Sequence, residues 1–146
     1  MPKPEGATIY GEIIGFATNC DAAHITQPQR ETMQICMEQS LRMAGLSAED
    51  IGYISAHGTA TDRGDIAESQ ASAAVFGDRV PISSLKSYFG HTLGACGALE
   101  AWMSLHMMRE GWFAPTLQPA PSGPTVRRAG LHYGREPADR LRIYSE

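Results

Sequence analysis

Several features that would assign a function quickly are missing from this sequence of 146 residues. No apolar run approaches the roughly 20 residues that a helix needs to cross a bilayer, and no basic start followed by an apolar stretch suggests a signal peptide. The net charge of −4 and the pI of about 5.7 offer no basic patch for nucleic acid or an anionic membrane. We therefore expect no membrane span, no nucleic-acid partner and a cytoplasmic location.

Cysteine is scarce, with three residues in the whole sequence. Cys20, Cys36 and Cys96 are odd in number and widely spaced, which argues against a disulfide framework and against a zinc cluster. None of them lies in a convincing setting for a catalytic nucleophile, and no serine does either. The scarcity of cysteine indicates a reducing compartment. Without a candidate nucleophile, the sequence does not predict covalent catalysis by this chain alone.

What the chain does contain is typical of one folded domain. Hydrophobic residues make up 42% of the sequence and charged residues 19%, and a chain of this length can build a core. β-Branched and aromatic residues are concentrated in three stretches that we predict as strands, over residues 8–18, 51–56 and 80–84. In the first stretch, Gly11 and Gly15 are predicted to be bulges or points of close approach.

Helical periodicity alternates with those strands. Helices are predicted over residues 26–44, 62–76 and 90–110. Thr26 is the expected N-cap of the first helix and Gly45 its end, while Gly77 closes the second. The third is apolar or small on nearly every face, as expected of a buried helix. The alternation predicts an α/β fold, layered around a buried central helix.

The character of the sequence changes after Leu117. Residues 118–146 are rich in proline, glycine and arginine and show no sustained period, so only a weak strand near residues 131–133 is predicted there. We therefore divide the chain into a domain over residues 1–117 and an atypical tail over residues 118–146, which we expect to be poorly ordered.

Two histidines and a lysine lie where predicted strands end and helices begin. His57 directly follows a strand and precedes Gly58, so its ring can project into the crevice at the carboxyl end of that strand. His91 comes five residues after Lys86, at a glycine-marked helix start whose dipole would keep the ring neutral. A neutral imidazole donates a hydrogen bond to a carbonyl oxygen that is gaining negative charge, and an ammonium group strengthens the field.

The residues around them are compatible with more than one role. Asp65 and Glu68 share a helix face, and a buried Lys86 would need a partner, for which Glu68 is the candidate. Thr59 and Thr61 could donate hydroxyl hydrogen bonds to an amide-rich ligand or could cap the following helix. The sequence leaves both interpretations of the threonines open.

A metal site would have to use residues from this same region, namely His24, His57, Asp65 and His91. Their spacing matches no H-x-x-x-H or H-E-x-x-H pattern, and the nearby lysine would repel a cation, so we expect no metal. Two further histidines, His106 and His132, are predicted to be non-catalytic.

Two motifs in this region are long and linked. Residues 57–68 contain every fixed position of the pattern H-G-T-x-T-x-x-x-D-x-x-E, and residues 84–100 contain every fixed position of S-x-K-x-x-x-G-H-x-x-G-A-x-G-x-x-E. Upstream, residues 21–26 match a third pattern, D-A-x-H-x-T. On these motifs, residues 9–117 resemble the C-terminal half of a β-ketoacyl-acyl carrier protein synthase of the type II elongating group.

The resemblance implies a thiolase-like fold, of which this chain is the C-terminal half only. It also implies a decarboxylative Claisen condensation of a malonyl carrier with an acyl thioester, in fatty acid or polyketide synthesis. His57 and His91 would hydrogen-bond the malonyl thioester carbonyl and stabilise the enolate that forms as carbon dioxide leaves. Lys86, paired with Glu68, would hold the electrostatics and geometry of the site.

The same resemblance implies the partners of the chain. Thr59 and Thr61 would contact the phosphopantetheine arm of acyl carrier protein, and no metal or dissociable cofactor is implied. The remaining partners would be the N-terminal half of the synthase, which carries the nucleophilic cysteine, and a second subunit in a homodimer or heterodimer.

Two pieces of the family pattern are absent from the sequence, the nucleophile motif and the glycine-rich end S-N-x-F-x-F-G-G, so the chain alone is predicted to be inactive. Codons for residues 123–146 can be chosen that, read one nucleotide later, encode a string resembling the family's P-D-P-x-C-x-x-L-D-Y segment. This predicts a reading-frame shift in the tail.

The alternatives to a synthase half are a non-catalytic subunit similar to a chain-length factor, a pseudogene product, or a thiolase. The retained His57, Lys86 and His91 count against a dedicated non-catalytic subunit, and H-G-T-x-T together with Lys86 counts against a thiolase.

Overall fold

The fold is described by a computed structural model for residues 6–117 and for the backbone of residues 143–145. In this part of the chain four α-helices and three short strands follow one another, with 3-10 turns at Ala48–Asp50 and Leu93–Ala95. The elements are α1 Arg30–Ala44, β1 Tyr53–Ser55, α2 Asp62–Phe76, β2 Ile82–Ser83, α3 Lys86–Phe89, α4 Cys96–Glu110 and β3 Ile143–Ser145.

The strands form one parallel sheet in the order β2-β1-β3, with β1 at its centre. Ile54 is in register with Ile82 on one side and with Tyr144 on the other. The two strands predicted at residues 51–56 and 80–84 are confirmed in type and are shorter than predicted. The sequence did not predict β3, which lies inside the stretch assigned to the tail. The weak strand predicted near residues 131–133 lies outside the described residues.

Alternate residues of β1 face two different layers. Ile54 belongs to a buried cluster with residues of α1 and α2, while Tyr53 packs on the other side with Leu85 and with Met107 of α4. The Tyr53 ring stacks on Phe113, with ring centroids 4.2 Å apart. A strand that is buried on both faces is typical of a parallel sheet covered by helices. The predicted layered α/β fold is therefore confirmed.

The helix ends follow from local chemistry. Gly45 ends α1 in the left-handed conformation, as predicted, and Gly77 follows the last residue of α2. The predicted start of α1 at Thr26 is wrong, because the helix begins at Arg30. Pro28 disfavours helical backbone at the residue before it, and the Thr26 hydroxyl is hydrogen-bonded to His24 Nδ1 at 2.9 Å instead of capping a helix.

The strand predicted at residues 8–18 is also wrong, since this segment joins no ladder among the described residues. Its β-branched and aromatic side chains are largely exposed, with Ile13 at 91% and Phe16 at 66%. The prediction of close approach at its glycines is confirmed. A Cβ at Gly11 would lie 2.7 Å from Leu105 Cδ2 of α4, and one at Gly15 would lie 2.5 Å from Ser40 O of α1. The segment is therefore packed against helices, and it pairs with no strand in the part of the chain that the structure describes.

The helix predicted over residues 90–110 begins later, at Cys96, and the short helix α3 and a 3-10 turn precede it. Its buried residues form one stripe of small, polar and flexible side chains, namely Cys96, Glu100, Ser104 and Met107. Large apolar side chains on its other faces, including Leu99, Trp102 and Met103, are exposed. The prediction that this helix is buried on all sides is therefore wrong for the described part of the chain. The described residues cover only one face of α4. No helix in this part is long and apolar enough to cross a membrane.

Candidate active site

The two motifs meet at the carboxyl edge of the sheet. His57 lies two residues after the end of β1, and Lys86 begins α3 three residues after the end of β2. Because β1 and β2 are neighbouring parallel strands, the segments that follow them leave the sheet at the same edge. The rings of His57 and His91 lie with their centroids 5.2 Å apart and nearly perpendicular, at 87°. The structure thus brings together the two predicted histidines.

Glu68 holds the backbone of the histidine turn. Its carboxylate accepts the N–H of His57 at 2.6 Å through Oε1 and the N–H of Gly58 at 2.9 Å through Oε2. The side chain is buried on α2, and burial raises the pKa of Glu68 above its ordinary value, while the two backbone hydrogen bonds act in the opposite direction. Glu68 therefore orients the turn that carries His57.

The predicted pairing of Lys86 with Glu68 is wrong. Lys86 Nζ lies 2.6 Å from Glu100 Oε1, and the two residues are only 7% and 5% exposed. Both oxygens of Glu68 are engaged by backbone donors, whereas Glu100 faces the ammonium from the first turns of α4. Glu100 was missed as a site residue, although it is the last fixed position of the second motif. Its place in that motif was the available signal.

His57 is held in its neutral form by its surroundings. Partial burial lowers the pKa of His57 from its ordinary value, and the positive charges of Lys86 and His91 lower it further. Glu100 and Asp65 act in the opposite direction but are smaller effects. At neutral pH the ring of His57 is therefore a neutral hydrogen-bond donor.

The nitrogen of His91 that carries the proton is determined by local hydrogen bonds and not by the helix start that the sequence predicted. It lies in the connection between α3 and α4, five residues before α4 begins, so the predicted helix-start position is wrong. Its Nδ1 accepts the N–H of Leu93 at 3.1 Å, and Cys96 Sγ lies 3.1 Å from the same nitrogen. Because a backbone N–H can only donate, Nδ1 is the acceptor and a neutral His91 carries its proton on Nε2.

Thr59 and Thr61 lie between His57 and the start of α2. Their hydroxyl oxygens are 3.1 Å apart, and the backbone N–H of Thr59 donates to Asp65 Oδ1 at 3.1 Å. Thr61 occupies the N-cap position of α2, but its hydroxyl makes no capping hydrogen bond to the helix. The capping interpretation of Thr61 therefore loses its support, and contact of the two hydroxyls with a ligand stays a prediction.

The remaining candidate residues lie away from the histidine pair or serve other contacts. His24 is bonded within its own loop, and the ring of His106 packs against Trp102 on α4 with centroids 4.5 Å apart. Among residues 6–117, no group of three or more histidine, cysteine or acidic side chains is arranged to hold a metal ion. His132 lies outside the described residues.

Residues 10–119 match the family model described as "Beta-ketoacyl synthase, C-terminal domain". The chain belongs to this family. The chloroplastic 3-oxoacyl-acyl-carrier-protein synthase II of Arabidopsis thaliana is 44% identical over 119 residues, which are 79% of this chain and 22% of that protein. The chain thus spans less than a third of this relative.

The fold of this chain is similar to the fold of solved ketosynthase structures. A β-ketoacyl synthase from Burkholderia phymatum is 54% identical with a TM-score of 0.84, and the match covers 93% of this chain and 33% of that one. A type II polyketide ketosynthase, solved with its acyl-carrier protein and bound to the hexaketide, is 35% identical with a TM-score of 0.76, covering 83% of this chain and 31% of its own. The predicted thiolase-like, C-terminal-half architecture is thereby confirmed.

Proposed function

We propose that this chain supplies the enolate-stabilising side of the active site of a β-ketoacyl-acyl carrier protein synthase. The observation that carries the proposal is the perpendicular pair of His57 and His91 at one edge of the sheet, with the buried Lys86–Glu100 pair behind it. A pair of imidazole donors at one point suits an oxygen that gains negative charge during a reaction. The membership of the chain in the synthase family supports a thioester as the group that carries this oxygen.

The chemistry is a decarboxylative condensation. The bond between the carboxylate and the α-carbon of a malonyl thioester breaks, carbon dioxide leaves, and the electron pair forms an enolate whose charge lies on the thioester oxygen. His57 and the Nε2–H of His91 donate hydrogen bonds to this oxygen. The enolate carbon then attacks the carbonyl carbon of an acyl thioester, and the thiolate leaves as the new carbon–carbon bond is completed.

The substrates would arrive on acyl carrier protein. The hydroxyl pair of Thr59 and Thr61 follows His57 closely in the chain and suits the amides of a phosphopantetheine arm. The polyketide ketosynthase described above was solved together with its acyl-carrier protein, which supports this class of partner. The proposal needs no metal and no dissociable cofactor. The cytoplasmic location stays a prediction, because the Arabidopsis relative is chloroplastic by name.

The thiol that leaves in the last step would belong to the N-terminal half of the synthase. The exposed apolar residues of α4, Leu99, Trp102 and Met103, support contact with a further part of the fold, since large apolar patches on a protein surface mark interaction sites. The chain alone is accordingly proposed to be inactive, and a homodimeric or heterodimeric assembly of the complete synthase remains part of the proposal.

A chimera tests the proposed function. Residues 10–117 of this chain replace the matching segment of the Burkholderia synthase, and carbon dioxide release and condensation with malonyl and acyl carriers are measured. We expect activity in the chimera and none in the isolated chain. His57→Ala and His91→Ala should each lower the rate by about 100-fold or more, whereas His106→Ala, which alters a histidine away from the site, should leave it unchanged. A folded but inactive chimera would favour the non-catalytic alternative.

A further inference from the structure

The hydroxyl group of Ser84 connects the two turns of the site. Ser84 follows β2 directly and is buried. Its Oγ donates a hydrogen bond to Gly58 O at 2.8 Å, and the backbone N–H of Lys86 donates to the same Oγ at 3.3 Å. A single side-chain oxygen thus joins the turn that carries His57 to the turn that carries Lys86.

This contact continues the sheet beyond its last backbone hydrogen bond. The ladder between β1 and β2 ends where the N–H of Ala56 donates to Ser83 O at 3.0 Å. After this point one chain segment leads to α2 and the other to α3, so backbone pairing stops and the hydroxyl of Ser84 makes the next cross-connection. The fit is close, because a Cβ at Gly58, whose φ is +37°, would lie 2.5 Å from Ser84 Cβ.

Ser84 and Glu68 hold opposite sides of the histidine turn. Glu68 accepts the N–H groups of His57 and Gly58, and Ser84 donates to the carbonyl oxygen of Gly58. Ser84 alone of these two side chains also contacts the backbone of Lys86. We propose that Ser84 is a positioning residue that sets the orientation of His57 relative to Lys86. The importance of this orientation for catalysis rests on the proposed function.

The pKa of His57 depends on the orientation of its ring relative to Lys86. Its ring is influenced by Lys86 from α3, by His91 from the connection after it, by Glu100 from α4 and by Asp65 from α2. Burial is the largest cause of the lowered pKa of His57, and the ammonium group of Lys86 is the second. Loss of the Ser84 contact would free the turn of His57 from the turn of Lys86, whose ammonium Glu100 holds in place. The His57 ring would then be less buried and farther from the ammonium, and both changes raise the pKa of His57 toward its ordinary value.

The test is an NMR titration of the His57 ring in the complete chain, with Ser84→Ala as the variant. The matched control is Ser83→Ala. Ser83 is the neighbouring buried serine, and its hydroxyl bonds Tyr53 Oη at 2.7 Å and Ala114 O at 2.8 Å without touching either turn of the site. We expect Ser84→Ala to raise the titration midpoint of His57 by about 0.5 pH unit. Ser83→Ala should leave the midpoint unchanged, and Ser84→Thr, which keeps the hydroxyl, should restore it.

An unchanged midpoint in folded Ser84→Ala, or an equal rise in Ser83→Ala, would overturn the inference. If Ser84→Ala does not fold, Ser84→Cys keeps a similar size with a weaker donor and should move the midpoint in the same direction. An unchanged midpoint in that variant would equally reject the role of Ser84. The titration involves no substrate, so its failure leaves the proposed function standing, and an inactive chimera leaves the titration result standing.

Discussion

Lys86 and Glu100 form a buried ion pair, with Nζ 2.6 Å from Oε1, that ties the start of α3 to α4 beside the two histidines. Glu100 therefore neutralises a charge that would otherwise be costly to bury. The same ammonium lowers the pKa of His57. The pair links the stability of the domain to the protonation of its candidate active site.

Removal of one partner of this pair should be costly. Glu100→Ala leaves the ammonium of Lys86 buried without a counter-charge, and we expect a loss of about 3–5 kcal/mol in the free energy of unfolding. Urea denaturation measures this loss, with Glu110→Ala as the control at an exposed position of the same helix. The double variant Lys86→Met/Glu100→Leu should recover most of the stability. A loss below 1 kcal/mol in Glu100→Ala would contradict the buried pairing.

Glu68 should matter through the backbone of the histidine turn. In Glu68→Gln the amide oxygen can still accept one N–H, but the NH₂ group faces the second N–H donor, so one hydrogen bond is lost. We expect a loss of about 1.5–3 kcal/mol in unfolding free energy, as for hydrogen bonds to charged groups. In the chimera the same change should lower the rate. Unaltered stability and rate together would show that the turn does not depend on Glu68.

The lowered pKa of His57 predicts how stability changes with pH. Between the ordinary value of 6.5 and the lower folded value, the unfolded chain binds a proton that the folded chain does not. The contribution of His57 to the free energy of unfolding should therefore fall as the pH drops through 6.5 and should level off below the folded pKa of His57. The measurement is the free energy of unfolding of wild type minus that of His57→Gln, as a function of pH. The contributions of other titrating groups, such as Glu68, are present in both proteins and cancel in this difference. A flat difference curve would contradict the prediction.

Gly15 should resist substitution because of what lies next to it. A Cβ at this position would lie 2.5 Å from Ser40 O, a backbone atom of α1 that cannot easily move. We expect Gly15→Ala to cost about 1–3 kcal/mol of stability. Gly97 is the matched control, since it lies inside α4 and a Cβ there would meet no atom within 4 Å. Gly97→Ala should stabilise the helix by up to about 1 kcal/mol, and equal effects at both glycines would contradict the close approach.

The last prediction concerns the coding DNA of the tail. We propose that residues 123–146 arise from a reading-frame shift, which the coding DNA can test directly. The sequence read one nucleotide later should encode the P-D-P-x-C-x-x-L-D-Y segment and continue to S-N-x-F-x-F-G-G. A continuation in that frame without the glycine-rich end would reject the proposal.

The sequence by itself determined the family and the α/β class, and it predicted two histidines and a lysine as site residues. These features are carried by local patterns: motif spacing, helix periodicity and the glycines at turns. The bounds of α2 and the C-terminal end of α1 were predictable for the same reason, because capping and periodicity act over a few neighbouring residues.

The tertiary structure alone decided which groups meet. Glu68 was available to Lys86 on charge grounds, but the backbone donors of the histidine turn occupy it, and Glu100 reaches the ammonium from α4. Residues 8–18 have strand-like composition, yet a strand forms only where the edge of another strand is free to pair, and this segment packs against helices. Pairing between charges and between strands depends on positions distant in sequence, and therefore only the folded chain specifies it.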